Sequence, residues 1–156
     1  MNPNVLCQES SVAAAVGTSL VGSTYKVYGL SIPQSNFEDI INQSADDEQN
    51  LLGLGVYQSS DSVIGPAVIN FQVADSAYNI IMSLPGYAAA YFSSGVGDTR
   101  FDPSAFFVFM NGQADRYKDR RDRAFRSLQN ILESGTGPGM IDTNQPGYSQ
   151  PAAPVY

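Results

Sequence analysis

DPSAFFVFMNGQADRYKDRRDRAFRSLQNILESG, residues 102–135, decides the fold, because its punctuation and its periodicity agree on one long helix. Asp102 is a good N-cap, Pro103 suits the first helical position, and Gly135 follows the last apolar residues as a stop. Between them Phe107, Met110, Ala114, Tyr117, Arg121, Ala124, Leu128 and Ile131 recur at alternating spacings of three and four, a heptad-like seam. A helix over about 103–133 would be roughly 46 Å long at about 1.5 Å per residue. Gly112 is its weak point, with a helical cost of about 1 kcal/mol relative to alanine, so a bend or break is expected there if anywhere.

The two halves of this segment differ in character. Phe106 to Met110 is apolar all round and calls for burial in the core or against another subunit. The second half holds Arg116, Lys118, Arg120, Arg121, Arg123 and Arg126, six of the chain's eight basic residues. Asp119 and Asp122 stand four residues before Arg123 and Arg126, which predicts charge pairs along an exposed face. Arg121 occupies a seam position where an apolar residue would otherwise sit. Such a residue sets register or reaches a partner, unless its guanidinium simply snorkels to water over the Tyr117 ring.

Upstream, Ser35 and Glu38 have capping-box spacing ahead of Phe37, Ile40 and Ile41, so a helix is expected from near Asn36 to Gly53 or Gly55. Another is expected from Gly65-Pro66, with Ile69, Val73, Ala77, Ile80 and Leu84 on one face and Pro85-Gly86 as its stop. Ala67 to Ala74 also has strand character, with helix the preferred assignment, while Ser23 to Leu30 alternates as a strand. Ser10 to Gly22, rich in small residues, reads as a tightly packed helix. Asp46-Asp47-Glu48 reads as a solvated acidic turn, since it lacks the spaced ligands and glycine of a calcium loop.

The fold class expected is therefore mainly α: a small helical domain over residues 1–134 with one long C-terminal helix and one or two short strands. Residues 135–156 alternate Gly and Pro, which predicts an extended tail. Met140, Ile141, Tyr148, Val155 and Tyr156 are spaced in it like anchors for a neighbour's grooves, although the same composition suits a disordered terminus.

Histidine is absent from all 156 residues, so serine triads and cysteine–histidine dyads cannot form and only carboxylate pairs are left for ordinary acid–base work. None of the 15 acids is marked for that task, and no enzyme activity and no cofactor are expected. One cysteine, Cys7, permits neither an intrachain disulfide nor a multi-cysteine zinc site. It lies in a segment expected to be mobile, where an inert thiol competes with an intermolecular bridge. No positive n-region with a long apolar core opens the chain, and Val12–Val21 and Tyr78–Phe92 are too interrupted to span a membrane. The glycine-rich stretches at 95–100 and 135–139 lack the lysine of a phosphate loop.

Charge is segregated: the net charge is -7, residues 1–99 hold nine acids and Lys26 as their base, and the run from Arg116 to Arg126 is cationic. Such an asymmetry orients copies of a chain head to tail, or merely balances on one monomer. Together with the apolar half-helix, the anchor-bearing tail and abundant Ser, Asn, Gln and Tyr, it points to a non-catalytic structural or adaptor subunit of a large symmetric assembly. A virion or phage neck, tail or capsid component, made in the cytoplasm and incorporated into a particle, is the class expected. Its partners would be copies of itself and other subunits, held by Arg116, Lys118, Arg120, Arg121, Arg123, Arg126, Met140, Ile141, Tyr148 and Tyr156. The alternatives are a nucleic-acid-facing or DNA-delivery protein gripping phosphates with the basic helix, and a membrane-active protein released from an assembly.

Overall fold

The computed structural model describes residues 2–93 and 103–135, with the side chains of residues 92, 93 and 103 left out. About three quarters of the described residues are helical. The order is α1 (Glu9–Ala15), β1 (Leu20–Val21), β2 (Thr24–Val27), β3 (Leu30–Pro33), α2 (Gln34–Leu52), α3 (Leu54–Tyr57), α4 (Ile64–Ser93) and α5 (Pro103–Gly135).

Helix α5 runs without interruption through Gly112, as the 3/4 spacing predicts. The expected N-cap Asp102 and the whole tail beyond Gly135, with Met140, Ile141, Tyr148, Val155 and Tyr156, lie outside the described residues, as does the stretch 95–100. Helices α4 and α5 form an antiparallel hairpin, in which Phe71 meets Phe125 near one end while Ala88 shares a cluster with Phe106 at the other. Two clusters fill the interior. One joins Phe71, Val68 and Tyr57 to Ala124 and Leu128, and the other joins Ile80, Ile81 and Leu84 to Ile32, Phe37, Phe106 and Met110.

The three strands form an antiparallel sheet in the order β1-β2-β3. The stretch 23–30 is therefore not one strand, because Tyr28-Gly29 folds it back, pairing Val27 with Leu30. Both turn residues have positive φ, +49° at Tyr28 and +84° at Gly29, as a two-residue hairpin turn that matches strand twist requires. Alternation then does its work: Tyr25, Val27, Leu30 and Ile32 are buried, and Lys26 and Ser31 face outward. Tyr25 stacks on Phe37 with ring centroids 4.0 Å apart, fixing the sheet to α2.

Several boundaries differ from the sequence expectation for identifiable reasons. The capping box does not form: α2 starts at Gln34, whose N–H bonds Ser23 O at 2.9 Å, and Ser35 Oγ bonds the Asn36 side chain. The helix therefore begins one residue before the expected cap, and the Ser23 carbonyl takes its first N–H. Helix α4 continues through Pro85 to Ser93. Proline removes the bond to the Ile81 carbonyl, but Leu84 and Ala88, fully buried on either side, keep the segment on the core. Its buried face includes Val68, Phe71 and Ile81, whereas Ile69 is exposed. The small-residue segment is helical only to Ala15, and Gly17, at φ +73°, turns the chain toward the sheet.

Cys7 is not in a loose end. It is buried, and its N–H donates to Gln72 Oε1 at 2.7 Å. Burial, with the nearby Glu48 second, pushes its thiol up to about 11, which suppresses thiolate chemistry near neutral pH. Nor is Asp46-Asp47-Glu48 a turn: all three residues lie within α2, and Glu48 is buried.

Candidate interaction surface

Helix α5 presents a core face and two outward surfaces. Met110, Ala124 and Leu128 of the expected seam are buried, and Ala114, Tyr117, Arg121 and Ile131 are half-buried. Phe106 takes the core position expected of Phe107. The apolar first turns are consequently divided: Phe107, Val108 and Phe109 stay exposed, Val108 at 72%. Three consecutive residues cannot all point inward from a helix whose neighbours 106 and 110 already do. Tyr28, held out by the hairpin turn, lies edge-on to Phe109 at 5.2 Å and donates from its hydroxyl to Gln113 Oε1 at 3.1 Å. The result is an aromatic and aliphatic ledge at the start of α5, open on its outer side.

The cationic surface follows. Arg116, Lys118, Arg120, Arg123 and Arg126 are exposed, and among the described residues none of them makes an ion pair with a carboxylate. The expected Asp119–Arg123 and Asp122–Arg126 charge pairs are absent. Each arginine Nε instead donates to the backbone carbonyl four residues back, Arg123 to Asp119 O and Arg126 to Asp122 O, both at 3.2 Å. Asp122's carboxylate is taken by Arg121, 2.9 Å away. Arg120 and Tyr117 reach the end of α1, donating to Ala15 O at 3.4 and 3.2 Å. Arg120 and Arg123 flank a depression of about 250 Å³ between α4 and α5, with Asn70 and Ser127 at its sides and the small Ala74 and Ala124 behind.

Arg121 differs from its neighbours. It lies over Tyr78, 4.5 Å from the ring centroid, and not over Tyr117, with its Nε 3.9 Å from Asp75 Oδ1. Its seam position therefore ties α5 to α4 within one chain.

Behind Asp75 sits a polar centre that composition alone does not reveal. Gln72, fully buried, accepts from Leu6 N and Cys7 N at 2.8 and 2.7 Å and donates to Asn4 O at 3.1 Å, clamping the N-terminal segment to α4. Tyr57 donates to the same Asn4 carbonyl and contacts Gln72 through its hydroxyl. Beside them neither Glu48 oxygen has a hydrogen-bond partner of good geometry. Burial first, then the neighbouring Asp75 charge, pushes the Glu48 carboxyl up to about 9, so it is neutral at pH 7. Burial also raises Asp75, opposed by Arg121. The signal for Glu48 was present as spacing: Phe37, Ile41, Ala45 and Glu48 follow one helical stripe.

Among the described residues no group of three or more Cys, Asp or Glu is placed to hold a metal ion, and no helix is long and apolar enough to cross a membrane. Comparison with protein-family models, with curated proteins and with solved structures finds no match to this chain.

Proposed function

We propose that this protein is a non-catalytic structural or adaptor subunit that associates through the outer face of α5. The observation carrying this is the exposed run Phe107-Val108-Phe109, placed on the same helix as five cations that have no carboxylate partner among the described residues. Apolar residues grouped on a rigid helix with charge beside them supply both burial and orientation when a partner docks. Composition adds the setting, a virion or phage particle, as its class. The tail anchors Met140, Ile141, Tyr148 and Tyr156 would add grip to such a contact.

Light scattering on the full chain tests this at about 0.1 M and about 1 M salt, between which the screening length falls from about 10 Å to about 3 Å. A defined oligomer lost on Val108→Asp supports the reading, because that side chain already faces water and its substitution spares the core. A monomer at both salts and at high protein concentration contradicts self-association.

The arginines that have no carboxylate partner among the described residues also favour a second reading, contact with a nucleic-acid backbone, more than the sequence spacing does. Arg120 and Arg123, with Asn70 and Ser127 between α4 and α5, form a set of donors suited to a phosphate. A net charge of -7 opposes it. Duplex binding that weakens steeply with salt, and is lost in Arg120→Glu/Arg123→Glu, would favour it over assembly.

A further inference from the structure

A second cleft, of about 670 Å³, opens between the N-terminal segment and the first turns of α1 and α2. Its size falls in the range of pockets that hold a sizeable group, about 300–1,000 Å³. Val5, Leu6, Cys7 and Ile41 give it an apolar lining, and Glu9 and Glu38 bring two carboxyl groups to it. Those two are drawn together by one amide: Gln34 Nε2 donates to Glu9 Oε1 at 3.3 Å and to Glu38 Oε1 at 3.0 Å. The Tyr25 hydroxyl also donates to Glu9. Among the described residues no lysine or arginine lies within ion-pair distance of either carboxylate. A concave site with an apolar lining and two uncompensated anions suits a long cationic side chain, whose methylenes cover the lining while its head meets the acids.

The same chain carries the complement. Six of its eight basic residues are on α5, and five of those six make no ion pair with a carboxylate among the described residues. In its own chain, Arg120 reaches the Ala15 carbonyl, at the far end of α1 from Glu9. We propose that the Glu9–Glu38 cleft receives a cationic side chain from the Arg116–Arg126 face of α5 of a second copy. This rests on the assembly reading and gives it a direction: cleft and helix are different surfaces, so the contact is heterologous, and its repetition builds a ring or a filament. Residues that look merely solvated in one chain, Glu38 and Arg123 among them, become the two sides of one contact.

Charge reversal in the full-length protein tests it, with circular dichroism verifying that each variant folds. The wild-type mass by light scattering is expected at about twofold or more above the 16.7 kDa monomer in about 0.1 M salt, and to fall toward it in about 1 M. Glu38→Lys alone, and Arg120→Glu/Arg123→Glu alone, are each expected to lower the mass at low salt. An equimolar mixture of the two is expected to recover it, because each variant then supplies the charge that the other needs. Glu38→Gln, which alters no packing in the exposed position, should weaken association without reversal. A wild-type oligomer that Glu38→Lys and Glu38→Gln leave unchanged, or a mixture that recovers nothing, overturns this contact and leaves the assembly reading standing. A wild-type monomer at both salts overturns both.

Discussion

The two halves of α5 place residues against the expectation of their chemistry in opposite ways. In the first half, Phe107, Val108 and Phe109 face water, although Phe106 and Met110 beside them are buried. In the second, a guanidinium holds a seam position: Arg121 is partly covered by Tyr78 and Asp75 while Ala124 and Leu128 pack below it. One helix thus has surplus apolar surface at one end and a charge tied into the hairpin at the other. The surplus apolar surface is what the proposed association would cover, and the paired charge is an internal strut. The difference teaches that composition along a helix does not identify its working face; the angular position of each residue does.

The comparison breaks first under truncation of the second half. Leu128→Ala should cost about 3 kcal/mol, since Leu128 is fully buried between α4 and α5, and urea melts would show it as a lower midpoint at unchanged slope. A cost below about 1 kcal/mol would mean that the hairpin is not packed as described.

The polar centre behind Arg121 should set a pH dependence. Glu48 holds its proton in the folded state up to about pH 9, from an ordinary value of 4.5, so between those values the folded chain binds a proton that the unfolded chain has lost. Stability should therefore be greatest near the lower limit and decline as pH rises through the window, by an amount on the order of a few kcal/mol. Asp75, also raised, acts in the same direction, whereas Asp46 and Asp61, lowered by their hydrogen bonds, act oppositely in acid. Glu48→Gln should flatten the decline and stabilise the protein at pH 8 to 9. Thermal melts of both proteins across that range would check it, and parallel curves would refute the assignment.

Arg121→Met keeps much of the side chain's length and removes its charge. Because the guanidinium is partly exposed, the expected loss is about 1 kcal/mol, from the ring contact and the screened Asp75 pair together. If Arg121 instead served mainly a partner, stability would be unchanged and association would fall. Gly112→Ala sharpens the comparison from the join between the halves. Nothing lies within 4 Å of the added Cβ, so denaturant melts should show stabilisation of about 0.5–1 kcal/mol. Val108→Asp should have the smallest effect on folding, within about 0.5 kcal/mol, and a visible effect on solution mass.

Much of the candidate surface was legible in advance. The cationic run was plain as composition, and the apolar run before it was plain as an excess. What was hidden was which members face where: Phe107 and Phe106 differ by one position, about 100° around the helix, and a two-pattern seam tolerates either. Glu48 could be found from its stripe with Phe37 and Ile41, but its acidic neighbours Asp46 and Asp47 made the triplet look solvated. The Glu9–Glu38 cleft had no sequence signal, because it joins residues of α1 and α2 through a glutamine at the head of α2.

By itself the sequence determined the long α5, an end of α2 at Gly53 or Gly55, the helical α4, and the segregation of acids from bases. These follow from local preference, periodicity and count, which act over a few residues or need no geometry at all. Only the tertiary structure decided that α4 passes Pro85, that α2 starts at Gln34 with its N–H on the Ser23 carbonyl, that Asp122 pairs with Arg121 and not Arg126, and that Glu48 is buried beside Asp75. Each of those turns on a partner distant in the chain, or on competition among neighbours for one partner, and the energy of such a contact exists only once the chain has brought both groups together.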